Sequence, residues 1–459
     1  MSEPTSRKSA AGQPESWQPY PPPAAADGSS PDREQPAPAA APQLPSENRL
    51  HLFDAYGVEL EYMLAQRATL NVFPAVDRLI ESECGSIQSE IEVKDLSWSN
   101  ELALHVVELK TTVPAPSLSG LADRFQRHVR RIDGHLAGLE ACLLPSAMHP
   151  WMHPDREMKL WPHEHSEIYD AFNRVFDCRG HGWANLQSVH LNLPFCGDEE
   201  FGRLHAAIRL VLPLLPAIAA ASPVMDGNIT GRLDNRLEVY RTNSRRVPEV
   251  CGKVIPERAF TQAEYDRMIF QPLYAAIAPL DPDGVLQDEF LNARGAIARF
   301  GRGSIEIRVI DIQECPAADL AVLQLCVAVL KALVDERLSS TAAQQAVEVE
   351  PLHTILLDTI RDGDQAVISD TGFLQLFGYT AETSCRAGRL WQYLAGVVAP
   401  ETDAVTDGAL DVILEQGPLA RRLLTAIAGN VSPQNLKSVY SELARCLVEG
   451  RMFVPGDRP

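Results

Sequence analysis

Three segments of this chain carry polar residues two apart with apolar residues between and beside them. They are Glu59 and Glu61 in Gly57-Val58-Glu59-Leu60-Glu61, His190 and Asn192 in Ser188-Val189-His190-Leu191-Asn192, and Glu306 and Arg308 in Ile305-Glu306-Ile307-Arg308. Side chains of a strand alternate with a period of two, so each pair lies on one face and its apolar neighbours on the other. A fourth segment, Val106-Val107-Glu108-Leu109-Lys110, adds Glu108. If the four strands share a sheet, one face holds Glu59, Glu61, Glu108, His190 and Glu306. Four carboxylates crowded on one face raise one another's pKa values until some are protonated, unless cations bind. Hard oxygen ligation with one imidazole suits Mg²⁺ or Mn²⁺. Any solvated antiparallel sheet alternates in the same way, and for one strand alone that ordinary reading is the better one. The acidic pattern on separate strands is what points to a site.

The remaining periodicity predicts an α+β fold. Strands are expected over residues 53–64, 102–111, 186–193 and 304–311. Helices are expected over 73–84, 118–144, 166–176, 201–221, 261–278 and 317–338. Residues 236–240 fit either state. From residue 341 the pattern is helix and loop, with no clear strand. Residues 1–48 stand apart, holding eleven of the 34 prolines, Pro21-Pro22-Pro23 among them. Such a segment cannot bury enough apolar surface to offset its ordering entropy, so disorder is expected. The expected organisation is a leader over 1–48, a domain carrying the acidic strands over 49–340, and a helical region over 341–459 belonging to the same globule.

Lys plus Arg is 41 and Asp plus Glu is 61, a net charge of −20. A surface this acidic is a poor partner for nucleic acid or an anionic membrane, both of which call for concentrated positive charge. It suits a protein that gathers cations. The nine cysteines are widely spaced without a CxxC pair, as expected of reduced thiols in a cytoplasmic protein. No secretory signal is evident, and the apolar stretch 210–221 is short and broken by Pro213 and Pro216, so no membrane segment is expected.

Basic residues form a second set. Arg294, Arg299 and Arg302 lead into Arg308, and Arg232, Arg236, Arg241, Arg245 and Arg246 follow Asn228. Arginine forks bind phosphate and carboxylate oxygens at two points. Acids that hold cations, together with arginines, are the equipment of phosphoryl transfer. Arg245 and Arg246 read better as surface partners of the surplus acids. Gly301-Arg302-Gly303-Ser304 is no P-loop, and His163-Glu164-His165 reads as a surface helix start.

These residues resemble the glutamate–cysteine ligase family 2, the carboxylate-amine ligases whose catalytic domain is like that of glutamine synthetase. The resemblance is carried in order by Gly57 to Glu61, by Glu108-Leu109-Lys110-Thr111, by Met148-His149-Pro150-Trp151, by Val189 to Asn192, and by Arg294 through Arg299-Phe300-Gly301 to Glu306-Ile307-Arg308-Val309-Ile310-Asp311. It implies a curved antiparallel sheet with outer helices, and an ATP-dependent ligase that moves a phosphoryl group to a carboxylate before an amine displaces it. It implies Mg²⁺ (or Mn²⁺) held by Glu59, Glu61, Glu108, His190 and Glu306, with Glu306 and Arg308 catalytic. Arg308 would meet the transferring phosphoryl group. Arg236, Arg294, Arg299, Glu101 and Asn192 would bind nucleotide or substrate. Glu101, seven residues before Glu108, would need a bulge or loop to reach the same face. Small amino-acid substrates are implied, with glutamate and cysteine as the family's namesakes, and some members are dimers. Gln187-Ser188 and Asp234-Asn235-Arg236 depart from the family's pattern, and they leave substrate identity open. Two other readings fit the same residues: a catalytically silent relative that binds metal or nucleotide, and a metal-dependent amidohydrolase.

Overall fold

In the computed structural model, which describes residues 49–456, the alternating segments become neighbours in one antiparallel sheet. The expected leader at 1–48 lies outside the described residues. The strands are β1 (Gly57–Gln66), β2 (Glu90–Val93), β3 (Leu96–Asn100), β4 (Val106–Thr111), β5 (Ala141–Leu144), β6 (Ser188–Pro194), β7 (Ala296–Arg299) and β8 (Ser304–Asp311). Their order is β2-β3-β4-β1-β6-β8-β7, and β5 pairs with the far end of β1. The four strands that carry the polar pairs are therefore consecutive at the centre of the sheet.

Val58, Leu60, Tyr62 and Leu64 of β1, Val107 and Leu109 of β4, Leu191 and Leu193 of β6, and Ile305 and Ile307 of β8 are all sealed from solvent. Burying each such side chain contributes roughly 1.5–3 kcal/mol, and a slip of one residue would expose the whole set. Register is thereby fixed. Glu61 stands opposite Glu108, Glu59 opposite His190, and Glu306 opposite Asn192. Opposed residues of an antiparallel pair share a face, so the polar pairs converge.

The main helices before residue 341 are α1 (Val76–Cys84), α2 (Leu121–Ala137), α3 (Ser166–Phe176), α4 (Gly197–Val211), α5 (Asn235–Tyr240) and α6 (Pro316–Val334). Among the described residues α6 is the one helix long and apolar enough to cross a membrane, and 94% of its apolar window is buried inside the protein. It packs on α2, α4 and a later helix, α7 (Ala404–Gln416). Other segments after residue 341 also bond to the earlier elements. Trp391 Nε1 donates to the Leu214 carbonyl at 2.8 Å, Gln126 Nε2 donates to the Leu447 carbonyl at 2.8 Å, and Arg422 pairs with Glu314 in a fully buried contact.

Several expected elements differ. The helix expected over 118–144 ends at Ala137, and Glu140 takes a φ of +54° before β5 begins. Ala-Cys-Leu-Leu is too short an apolar run for periodicity to separate strand from helix. The short β7, Ala-Ile-Ala-Arg, is ambiguous for the same reason, whereas the hairpin β2–β3 alternates as strands do over Glu-Ile-Glu-Val and Leu-Ser-Trp-Ser-Asn. The helix expected over 261–278 carries a π-turn at Asp266–Phe270, just ahead of Pro272, which has no N–H to give. Two-residue strands at Val367–Ile368 and Cys385–Arg386 pair in the region read as helix and loop.

Candidate active site

The shared face of β4, β1, β6 and β8 floors a cavity of about 460 Å³. Glu59, Glu61, Glu101, Glu108, His190, Arg236, Arg299, Glu306 and Arg308 all line it. Two donor groups form there. Oxygens of Glu59 and Glu108 and a ring nitrogen of His190 lie within 4.8 Å of one another, as do oxygens of Glu61, Glu101 and Glu108. Glu108 belongs to both. Glu101 reaches the face because it lies in the loop after β3 rather than on β4. The donors are mostly carboxylate oxygens with one imidazole, which fits hard divalent cations such as Mg²⁺ or Mn²⁺.

Neighbouring groups set the charge. Ser188 donates from both its N–H (2.6 Å) and its hydroxyl (2.8 Å) to Glu61 Oε2. With that hydroxyl hydrogen spent, His190 Nε2 donates to the Ser188 oxygen at 3.0 Å, while Nδ1 donates to Glu59 at 2.8 Å. Both ring nitrogens then carry protons. Burial disfavours that cation, but the charge of Glu61 and the bond to Glu59 outweigh it and lift His190 to about 9. Burial raises Glu59 in turn, and its bond to His190 outweighs that and holds it below its usual value. Asn192 Nδ2 donates to the other Glu59 oxygen at 3.0 Å. Glu108 is pushed up to about 7, first by burial and then by the charge of Glu59. It accepts from Ser99 Oγ at 2.7 Å and lies 3.2 Å from Lys110 Nζ. Burial, then the charges of Glu108 and Glu61, push Glu101 well above the carboxylate range.

Glu306 stands apart from both donor groups. One oxygen is held by Arg308 and the other accepts from Arg299 Nη2 at 2.9 Å. Burial acts to raise its carboxyl, but Arg308 and Arg299 hold it well below the usual range. The β6–β8 register shifts between Ile307 and Ile310, so Arg308 and Val309 together face His190. Such a bulge re-aims side chains and reverses the parity beyond it. Asp311, which strict alternation would put on the far face, stands opposite Ser188 and grips Arg236. Arg236 sits in the first turn of α5, whose N-cap Asp234 accepts from Leu237 N–H at 2.8 Å.

Arg294 is not brought to the site. Its guanidinium forks onto Glu257 and donates to the Glu249 carbonyl and Asn292 at 3.1 Å, and none of these residues lines the cavity. Alternation along a strand cannot report this, because Arg294 precedes β7. His163 bonds Asp77 at 3.2 Å, also outside the cavity. Sequence reasoning missed Ser188, Ser99 and Lys110. Ser188 and Lys110 continue the period of two beside His190 and Glu108, and that signal was there to find. The aromatic wall of Tyr169, Phe172, Trp183 and Phe290 had no such signal. A second hollow of about 510 Å³ adjoins the first through Glu59, Lys110 and Arg302, and Leu50, Phe195 and Phe300 also line it.

A sequence profile described as glutamate–cysteine ligase family 2 matches residues 55–363. An uncharacterized protein of Archaeoglobus fulgidus is 30% identical over 398 residues, covering 87% of this chain and 100% of that protein. A Rubrobacter xylanophilus protein, named provisionally as glutamate–cysteine ligase 2-1, is 25% identical over 288 residues, 61% of this chain and 67% of that protein. Among solved structures, glutamate–cysteine ligase from Francisella tularensis in complex with AMP matches with a TM-score of 0.52 at 12% identity, over 85% of this chain and 88% of that chain. That last likeness is one of fold: α+β, with a central antiparallel sheet and a largely helical C-terminal region.

Proposed function

We propose that this chain, which belongs to glutamate–cysteine ligase family 2, is an ATP- and Mg²⁺-dependent ligase that joins the carboxylate of an amino acid to an amine through an acyl phosphate. The observation that carries this reading is the meeting of two cation-donor groups at Glu108, in the same cavity as the Glu306–Arg308 pair. Glu59, Glu61, Glu101 and Glu108 would hold the divalent cations, and His190 would join them as a ligand on giving up a ring proton. The cations, when bound, neutralise phosphate oxygens during transfer.

The protein's own groups do the remainder. Glu306 fixes Arg308 and Arg299 by one oxygen each, so both guanidinium forks keep donors for phosphoryl or carboxylate oxygens. Asp311 does the same for Arg236. The adjoining hollow offers Leu50, Phe195 and Phe300 to a nucleotide base, with Arg302 and Lys110 on the side shared with the cation site. The substrate carboxylate takes the γ-phosphoryl group of ATP, and ADP leaves with the bridging oxygen. The amine then displaces phosphate, giving amide, phosphate and a proton.

The test is phosphate release by the purified chain with Mg²⁺ and ATP, first with glutamate, then with added cysteine and other amines. Amine-dependent release with a new amide in the mass spectrum supports a ligase and names its substrates. Absence of Mg²⁺–ATP binding removes the reading.

A further inference from the structure

One wall of the cavity is aromatic. Phe172 of α3 lies 5.4 Å from the Trp183 ring and 6.2 Å from Phe290, and Phe176 stacks on Trp183 at 5.3 Å. The rings come from three separate segments and are tied in place. Trp183 Nε1 donates to the Asn243 carbonyl at 3.1 Å, and Tyr169 accepts from Asn100 Nδ2 at 3.0 Å. A ring pair that serves the core, Phe201 and Tyr265 at 5.9 Å, is sealed, with both rings 0% exposed. Tyr169, Phe172, Trp183 and Phe290 are instead only half-buried, and all four face the same cavity as the carboxylates. Fixed aromatic surface left open inside a concave polar site marks where a ligand's apolar part is covered.

We propose that one of the two ligated substrates carries an aromatic or similarly bulky apolar side chain, which packs against Phe172, Trp183 and Phe290. This rests on the ligase reading for its chemistry, but the packing itself is a binding property. A small polar side chain such as that of cysteine or glutamate would leave the wall wet. An aromatic amino acid places its charged groups toward the carboxylate and arginine floor and its ring on the wall, where offset or edge-on ring contacts add to the area buried.

Calorimetric titration of the full chain with Mg²⁺ and a non-hydrolysable ATP analogue separates the cases, using L-phenylalanine, L-alanine and L-glutamate as probes. Phenylalanine should bind at least tenfold more tightly than alanine. Trp183→Ala and Phe290→Ala should each abolish most of that preference, and Trp183→Phe should keep part of it. Should Trp183→Ala fail to fold, the milder Phe290→Ala carries the test. Phenylalanine binding no better than alanine, or unchanged in the Phe290 variant, overturns the inference. Nucleotide binding is recorded in the same titrations, so a failed ligase reading appears as lost nucleotide binding, and a failed wall as lost ring preference with nucleotide binding intact.

Discussion

Glu61 and Glu108 stand directly opposite each other on neighbouring strands, on the one face of the sheet that opens to a cavity. Like charges in that position repel and destabilise the pair. The surrounding groups offset part of that cost: Ser188 serves Glu61, while Ser99 and Lys110 serve Glu108. A sheet that kept such a pair for stability alone would do better with one charge removed.

Glu108→Gln should therefore separate stability from function. With no added divalent cation the variant should be as stable as the parent or more stable by roughly 0.5–1 kcal/mol. Its Mg²⁺-dependent ATP turnover should fall at least about 100-fold, since even indirect supports of a metal site cost 10- to 100-fold. Urea unfolding and a phosphate-release assay on the same preparations check both halves. A large loss of stability would mean Glu108 is a structural group.

Arg308→Lys tests the fork. Lysine keeps the charge but cannot serve Glu306 and a second oxygen pair in one plane. Turnover should fall by about 100- to 1,000-fold, the usual effect of losing one positioned donor to developing charge. The melting temperature should move little compared with that of Asp311→Asn, which strands the buried Arg236 and should cost about 3–5 kcal/mol.

Arg294 gives the converse expectation. Its fork serves Glu257 and two neighbours outside the cavity. Arg294→Ala should destabilise by about 1–3 kcal/mol through the groups it leaves unpaired. The fraction that remains folded should keep its KM for ATP within about twofold. A selective rise in that KM would place Arg294 in the nucleotide site after all.

Acid sensitivity should come in part from three buried histidines. Burial pushes His105 and His149 down to about 4 and His205 to about 3, each below its ordinary 6.5. Each ring bonds a backbone carbonyl, and His105 Nδ1 and His205 Nε2 are buried without a partner among the described residues. Between pH 6.5 and 4 the unfolded chain binds protons at these sites that the native chain does not. Stability therefore rises with pH across that window and is lost as pH falls through it. Each site contributes on the order of 2–3 kcal/mol over the full window. His205→Gln should be less destabilised than the parent on going from pH 7 to pH 5, measured by denaturant unfolding at each pH. Equal losses would mean His205 is already charged in the native state.

Much of the site was legible because it is written locally. Glu59, Glu61, His190, Glu306 and Arg308 sit on strands whose apolar positions must all be buried, and a period of two then assigns their face without any knowledge of the fold. Glu101 was legible as an acid but not as a neighbour, since its approach depends on the path of a loop. Ser188 and Lys110 lay within reach of the same period and were not taken up. The short strands β5 and β7 were not legible, because four mostly apolar residues carry too little periodicity to separate strand from helix, whereas β2 (Glu-Ile-Glu-Val) and β3 (Leu-Ser-Trp-Ser-Asn) alternate and lay within reach of the same period.

By itself the sequence determined which residues are apolar and at what spacing, and so the faces of the central strands, the acidic character of one face and the family to which the chain belongs. Tertiary structure alone decided three things. The bulge at Arg308 and Val309 reversed the parity of β8 and carried Asp311 round to Arg236. Arg294 turned outward to Glu257 instead of inward to the cavity. Phe172, Trp183 and Phe290 met from distant segments to form one wall. The physical reason is common to all three. Alternation is a property of one strand's own backbone, whereas a bulge, a side chain's choice of partner and a wall built from several segments depend on which surfaces the whole fold brings together.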